Sequence, residues 1–166
     1  MVYGAIDFID QTISPELRVL ELGGGSSTHF WLSRGNKVTT VESSLPWMEV
    51  IQRQTDDYPN HVLLHIDPIN SRALSVHLKS KFDVIVNDFS GGDRSSIARW
   101  LLEHIEEDGW IIWDNSEREE CSSAITELHR EGFGELKFFG LGPINPYAWQ
   151  TSILSRNIPR REWETI

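Results

Sequence analysis

Short runs of β-forming residues alternate with longer amphipathic stretches along most of the chain. This alternation is typical of βαβ units and predicts a mainly parallel sheet. The five predicted strands span residues 18–22, 37–42, 62–67, 82–88 and 109–113. The predicted helices between and after them span residues 27–33, 45–58, 71–80, 95–106 and 117–131. Because ligands of open α/β sheets bind beyond the carboxyl ends of the strands, the polar residues there are the candidates for function.

The alternation stops after the last predicted helix, where two strand-like runs at 135–141 and 149–155 follow each other. Their link, residues 142–148, is too short for a parallel crossover, which needs about a dozen residues. The two runs are therefore predicted to form an antiparallel hairpin. The predicted fold is α/β: a three-layer sandwich of seven strands, with five parallel strands followed by the C-terminal hairpin.

The composition fits one domain over residues 1–166, since 39% hydrophobic residues can fill a core. The formal net charge of −10 opposes binding to nucleic acid or to an anionic membrane surface. No apolar run approaches the roughly 20 residues that a membrane-spanning helix needs. The single cysteine, Cys121, cannot form an internal disulfide, and no group of Cys and His has zinc spacing. We expect a cytoplasmic protein.

A glycine-rich segment follows the first predicted strand. It has an acidic residue, Glu21, one apolar residue, and then Gly23, Gly24 and Gly25. Consecutive glycines let the backbone turn tightly and approach a ligand, and the next helix directs free amides at the same space. Thr28 replaces the third glycine of a dinucleotide fingerprint, and no lysine stands at the spacing of an NTP-binding loop. A strand-to-helix turn without a ligand is the alternative.

This segment resembles the first motif of the class I S-adenosylmethionine-dependent methyltransferases, which have a Rossmann-like fold. The matching residues are Glu21 and Gly23 to Gly25, and the order of elements agrees from residue 18 to residue 155. The resemblance implies a backbone cradle for the methionine part of the cofactor, formed by the glycines with Ser26 and Thr28. It also implies that Glu21 lies near the cofactor's amino group, directly or through water.

The next two strand ends are candidates for the nucleoside part of a cofactor. Glu42, with Ser43 after it, stands where a carboxylate can accept hydrogen bonds from both ribose hydroxyls. The same spacing occurs in NAD-binding folds, and Glu42 can also be a solvated acid at a strand end. The resemblance implies that Asp67 meets the adenine amino group, although a turn or a helix cap would equally explain this residue.

The fourth and fifth strand ends carry Asp88, Asp114 and Asn115, whose oxygens suit Mg²⁺ or another hard divalent cation. They are similar in type and place to the metal ligands of the catechol O-methyltransferase group. That group has a lysine base shortly after the first aspartate, and residues 89–94 contain none. The alternative is that Asp88 faces the methyl-transfer centre as a catalytic residue, while Asp114 and Asn115 lead into a helix capped by Ser116.

The resemblance implies methyl transfer from S-adenosylmethionine to a small molecule. Oxygen is the favoured acceptor atom, because residues 87–90 lack the Pro-Pro-aromatic motif of base and amide methylation. A non-catalytic cofactor-binding module and an NAD-type oxidoreductase are the alternatives. The short chain leaves the acceptor side open, so we expect it to be closed by the N-terminal helix around residues 3–12, by residues 140–148, or by a second copy in a homodimer.

Overall fold

A computed structural model describes residues 1–90 and 94–159, without the side chain of Ser95. Its strands are β1 (Arg18–Leu22), β2 (Lys37–Glu42), β3 (His61–His65), β4 (Phe82–Asn87), β5 (Ile105–Asp114), β6 (Gly134–Gly140) and β7 (Trp149–Ser155). Its α-helices are α1 (Tyr3–Thr12), α2 (Ser26–Ser33), α3 (Leu45–Thr55), α4 (Ser71–His77), α5 (Ala98–His104) and α6 (Ser122–Arg130). Short 3-10 turns, Arg94–Ile97 and Glu119–Cys121, precede α5 and α6.

The seven strands form one sheet in the order β3-β2-β1-β4-β5-β7-β6. The first five are parallel, and β7 is antiparallel to both β5 and β6. The predicted fold class, including the C-terminal hairpin, is therefore confirmed. The strand order reverses between β1 and β4, so the carboxyl ends of these neighbouring strands flank the crevice where open α/β sheets bind ligands.

The core lies on both faces of the sheet because successive strand residues point to opposite sides. In β4, Val84 and Val86 pack in the cluster that contains α1 and α2 residues, whereas Ile85 packs in the cluster with α4, α5 and α6 residues. This arrangement gives the three predicted layers. None of the helices in residues 1–90 and 94–159 has the length and apolar character needed to cross a membrane.

One error in the predicted boundaries concerns the segment before the fifth strand. The helix predicted at 95–106 begins as a 3-10 turn and ends at His104, and β5 starts at Ile105 rather than at residue 109. The pairing of β5 with β4 is irregular between Phe82 and Val84, which accommodates this longer strand. A Cβ on Gly109 would lie 2.6 Å from the side chain of Ile105, so glycine permits the close approach.

Other predicted elements differ only at their ends. The third strand, predicted at 62–67, spans His61–His65, and the helices predicted at 45–58 and 71–80 end at Thr55 and His77. Predicted helix 117–131 starts only at Ser122. After α3, the chain turns at residues that include Pro59. Proline lacks an amide donor, so it cannot supply the backbone hydrogen bond that a longer helix would need.

Candidate functional site

The glycine loop passes closely over the neighbouring strands. Gly23 has a φ of +86°, and a Cβ on it would lie 2.6 Å from the carbonyl oxygen of Asp88. A Cβ on Gly24 would lie 2.5 Å from Cγ2 of Thr40. Gly25 is different, because its Cβ would meet only Cζ2 of Trp47, at 3.8 Å. The first two glycines are thus required by the fold, whereas space remains at the third.

Glu21 lies beneath this loop, not in contact with solvent. Its carboxylate accepts hydrogen bonds from the hydroxyls of Ser27 and Thr28, and Thr40 Oγ1 is 3.4 Å away. The hydroxyl of Thr28 also accepts the Gly25 amide, at 3.0 Å. Burial raises the pKa of Glu21 to about 7, although these hydroxyl donors oppose the shift. The immediate contacts of Glu21 therefore hold the loop and the start of α2 together.

Glu42 connects the end of β2 to the same loop. Its Oε1 accepts the amides of Ser43 and Ser44, both at 2.8 Å, and its Oε2 accepts the Gly24 amide at 3.3 Å. A carboxylate oxygen can accept two hydrogen bonds, so Oε2 can still accept a hydroxyl. The carboxylate therefore both shapes the loop and keeps the capacity that a ribose contact needs.

Asp67 is exposed in the turn that precedes α4. It does not cap that helix, because Oδ1 of Asn70 accepts the Ala73 amide at 2.9 Å. Of the two structural explanations for Asp67, only the turn remains.

A cavity of about 330 Å³ opens beside the glycine loop. Part of its lining is the loop, the start of α2 and an indole, with the residues Gly24, Gly25, Ser26, Ser27 and Trp47. An apolar wall forms another part, with the residues Met1, Ile6, Phe30, Pro143 and Ile144. Both chain segments that were expected to close the acceptor side, the N-terminal helix and the link between β6 and β7, contribute to this wall.

Asp88 supplies the carboxylate of the cavity, just after β4. Burial raises its pKa to about 6, and the negative charge of Asp114 adds to the shift. The N-terminal ammonium, Arg94 and Arg118 act in the opposite direction. Asp88 is therefore ionised at neutral pH but can take up a proton more readily than an ordinary aspartate.

The predicted metal site, Asp88 with Asp114 and Asn115, is not supported. Asp114 is buried, and its Oδ1 accepts from Trp149 Nε1 at 2.9 Å and from Thr151 Oγ1 at 2.5 Å. Its Oδ2 accepts from the Met1 ammonium at 3.0 Å. Both oxygens are thus already engaged by hydrogen-bond donors. In the described part of the chain, no group of three or more His, Cys, Asp or Glu side chains could hold a metal ion.

The alternative explanation of this strand end also needs correction. Asn115 has a φ of +53° and lies in a turn. Ser116 does not cap a helix, because its hydroxyl bonds with Gln150 and Ser152 and α6 begins only at Ser122. Asp114 and Ser116 therefore link β5 to β7.

Sequence analysis did not single out two side chains of the cavity. Trp47 follows the α3 cap, and its Nε1 donates to the carbonyl of Gly24 at 2.8 Å. Ile144 lies in the link after β6, which was predicted only as a segment, residues 140–148, that could close the acceptor side. Only tertiary folding brings these residues together, so neither spacing nor residue type could have identified them.

No protein-family model matches the sequence, and no curated protein matches it. Solved structures do match. A methyltransferase from Pyrococcus furiosus is 16% identical with a TM-score of 0.69, over 93% of this chain and 82% of the other. An rRNA methylase from Streptococcus thermophilus is 14% identical with a TM-score of 0.67, over 92% and 94%.

A further match is a Streptococcus mutans protein described as a methyltransferase and solved in complex with SAH, the demethylated form of S-adenosylmethionine. It is 12% identical with a TM-score of 0.64, over 91% of this chain and 95% of the other. At these identities the likeness concerns the fold alone. The chain has the class I methyltransferase fold, and the acceptors of similar structures do not identify its own.

Proposed function

We propose that the protein is an S-adenosylmethionine-dependent methyltransferase that acts on a small molecule, at oxygen. The observation that carries this proposal is the position of the glycine loop, which opens into a cavity that Asp88 also lines. The Streptococcus mutans structure, which has the same fold and is in complex with SAH, supports the choice of cofactor.

The polar groups around the loop fit the parts of this cofactor. The amides of Ser26 and Ser27 lie in the first turn of α2, where backbone donors have no partner within the helix, and they suit the methionine carboxylate. The space at Gly25 leaves room for that group. Asp88 is placed to attract a cation, and Oε2 of Glu42 can accept a ribose hydroxyl.

The cofactor, when bound, supplies a methyl group that is already activated by the sulfonium. The protein's part is to align the acceptor and exclude water. Asp88 would accept the proton of the acceptor hydroxyl, for which a pKa near 6 makes it a stronger base than an ordinary aspartate. Glu21 would act through the shape of the loop.

Calorimetric titration with S-adenosylmethionine and, separately, with NAD⁺ tests the cofactor. We expect the first to bind and NAD⁺ not to bind. Glu42→Ala should weaken the binding about tenfold, as the loss of a charged hydrogen-bond partner does. Because Glu42 also accepts three backbone amides, Glu42→Gln serves as a shape-conserving second variant.

Glu49→Ala is the matched control, since Glu49 is an exposed glutamate on α3. It should leave the affinity unchanged. Failure of S-adenosylmethionine to bind, or binding of NAD⁺ in its place, would contradict the proposed function.

A further inference from the structure

The acceptor wall is the part of the apolar cavity lining formed by Ile6, Phe30, Pro143 and Ile144. Ile6 and Phe30 are partly buried and pack against the core cluster on the α1 and α2 face of the sheet. Ile144 lines the cavity although 70% of its surface is exposed. A side chain with this exposure can cover an apolar ligand and lose contact with water when it does so.

Backbone contacts fix the segments that carry this wall to one another. The Tyr3 amide donates to the carbonyl of Leu141 at 2.9 Å, which ties the start of α1 to the link between β6 and β7. A Cβ on Gly142 would overlap the ring of Trp149, so the link lies tightly against β7. The start of α1 and strand β7 therefore hold in place the link that carries Pro143 and Ile144.

The charge of the cavity lining also limits which molecules can bind there. Among the described residues, Asp88 is the one charged side chain that lines the cavity, and no lysine or arginine does so. Met1 also lines the cavity, but its ammonium is buried and paired with the Asp114 carboxylate at 3.0 Å. An anionic acceptor would meet the Asp88 carboxylate without a lining basic side chain to offset it. Phosphates of an RNA acceptor would face the same repulsion, and the net charge of −10 adds to it.

We propose that the acceptor is a small, uncharged, apolar molecule with one hydroxyl group, whose body lies on the acceptor wall and whose hydroxyl faces Asp88. The inference rests on the proposed methyl transfer. The hydroxyl oxygen forms a bond to the methyl carbon, the bond from that carbon to sulfur breaks, and its electron pair stays on sulfur. The hydroxyl proton goes to the Asp88 carboxylate, so the cofactor leaves as a neutral thioether.

The test measures binding of 4-ethylphenol to protein saturated with S-adenosylhomocysteine, by calorimetry or ligand-observed NMR. 4-Ethylbenzoate and uridine monophosphate are the anionic comparison probes. We expect 4-ethylphenol to bind more tightly than either. Ile144→Asp should weaken its binding about tenfold or more, because it puts a charge on the acceptor wall. The same substitution should change the S-adenosylhomocysteine affinity less than about twofold, a difference of about 0.4 kcal/mol.

Leu141→Asp is the matched control, because Leu141 is exposed in the same segment but does not line the cavity. It should leave both affinities unchanged. If S-adenosylhomocysteine binds but 4-ethylphenol does not, or binds equally well to Ile144→Asp, the acceptor inference is wrong and the proposed function stands. Tighter binding of either anionic probe would also overturn it. If S-adenosylhomocysteine itself does not bind, the proposed function fails and this inference fails with it.

Discussion

The hydroxyl of Thr28 donates to the buried carboxylate of Glu21 and at the same time accepts the amide of Gly25. One side chain thereby links β1, the glycine loop and the first turn of α2. Thr40 extends the network, because its hydroxyl lies 3.4 Å from Glu21 and 3.0 Å from Nε2 of His61. The shape of the glycine loop, which lines the cavity, therefore depends on Glu21, although Glu21 does not itself line the cavity.

Glu21→Gln should remove a pH dependence of stability. Burial raises the folded-state pKa to about 7 from 4.5, so the folded protein binds this proton more tightly than the unfolded chain. Stability should fall by about 3 kcal/mol as the pH rises through this interval. Urea denaturation at about pH 5 and about pH 8 measures the change for each protein. The difference between wild type and Glu21→Gln isolates Glu21 from Asp88, which shifts in the same direction.

Asp67→Asn is the control, because Asp67 is exposed. It should retain the wild-type dependence. Equal pH dependence in wild type and Glu21→Gln would show that Glu21 titrates normally in the folded protein.

The glycine loop offers a second prediction, since its glycines have different surroundings. Gly23→Ala should lower the free energy of unfolding by about 2 kcal/mol or more, because it combines a positive φ with overlap at Asp88. Gly25→Ala should leave stability nearly unchanged but weaken S-adenosylmethionine binding about tenfold, since the methyl group occupies the cradle. Thermal denaturation and calorimetry separate the two effects. Equal cofactor affinity in Gly25→Ala and wild type would show that the space beside Gly25 does not hold the cofactor.

Much of the fold could be predicted because hydrophobic periodicity records which face of each element is buried. The link of residues 142–148 even specified the antiparallel hairpin, since its length excludes a crossover. The start of β5 could not be found in this way. Ile105 continues the apolar spacing of the preceding helix, and only its pairing with Phe82 assigns it to the sheet.

The candidate site was predictable to a smaller extent. Residue types at strand ends selected Asp88, which lines the cavity, and Glu42, which bonds to the glycine loop, because parallel strands bring their carboxyl ends to one edge. The same reasoning selected Asp114, whose partners Trp149 and Thr151 lie on a strand that pairs with β5 only in the folded sheet. Whether Asp114 is free to bind a metal depends on those contacts, and the residues around Asp114 in the sequence do not reveal them.

Asp88 should make cofactor affinity depend on pH. S-adenosylmethionine carries a sulfonium and an ammonium, so it should bind best when the Asp88 carboxylate is ionised. With a pKa of about 6, that carboxylate is mostly protonated at about pH 5, and the affinity should fall about tenfold from its value at neutral pH. Asp88→Asn should bind more weakly at neutral pH and lose most of this dependence. Calorimetry at both pH values checks the prediction, and an unchanged dependence in Asp88→Asn would assign it to another group.

Asp114 provides the last prediction, which concerns metal addition. Its two oxygens accept three hydrogen bonds, so a divalent cation would have to displace Trp149 Nε1, Thr151 Oγ1 or the Met1 ammonium. Millimolar Mg²⁺ or EDTA should therefore change neither the thermal midpoint nor S-adenosylmethionine affinity. Asp114→Asn should instead destabilise the protein by about 3 kcal/mol, because it leaves buried donors poorly paired. The exposed Asp108→Asn is the control and should be neutral. A thermal midpoint that rises with Mg²⁺ in wild type but not in Asp114→Asn would show that the aspartate exchanges these partners for a metal.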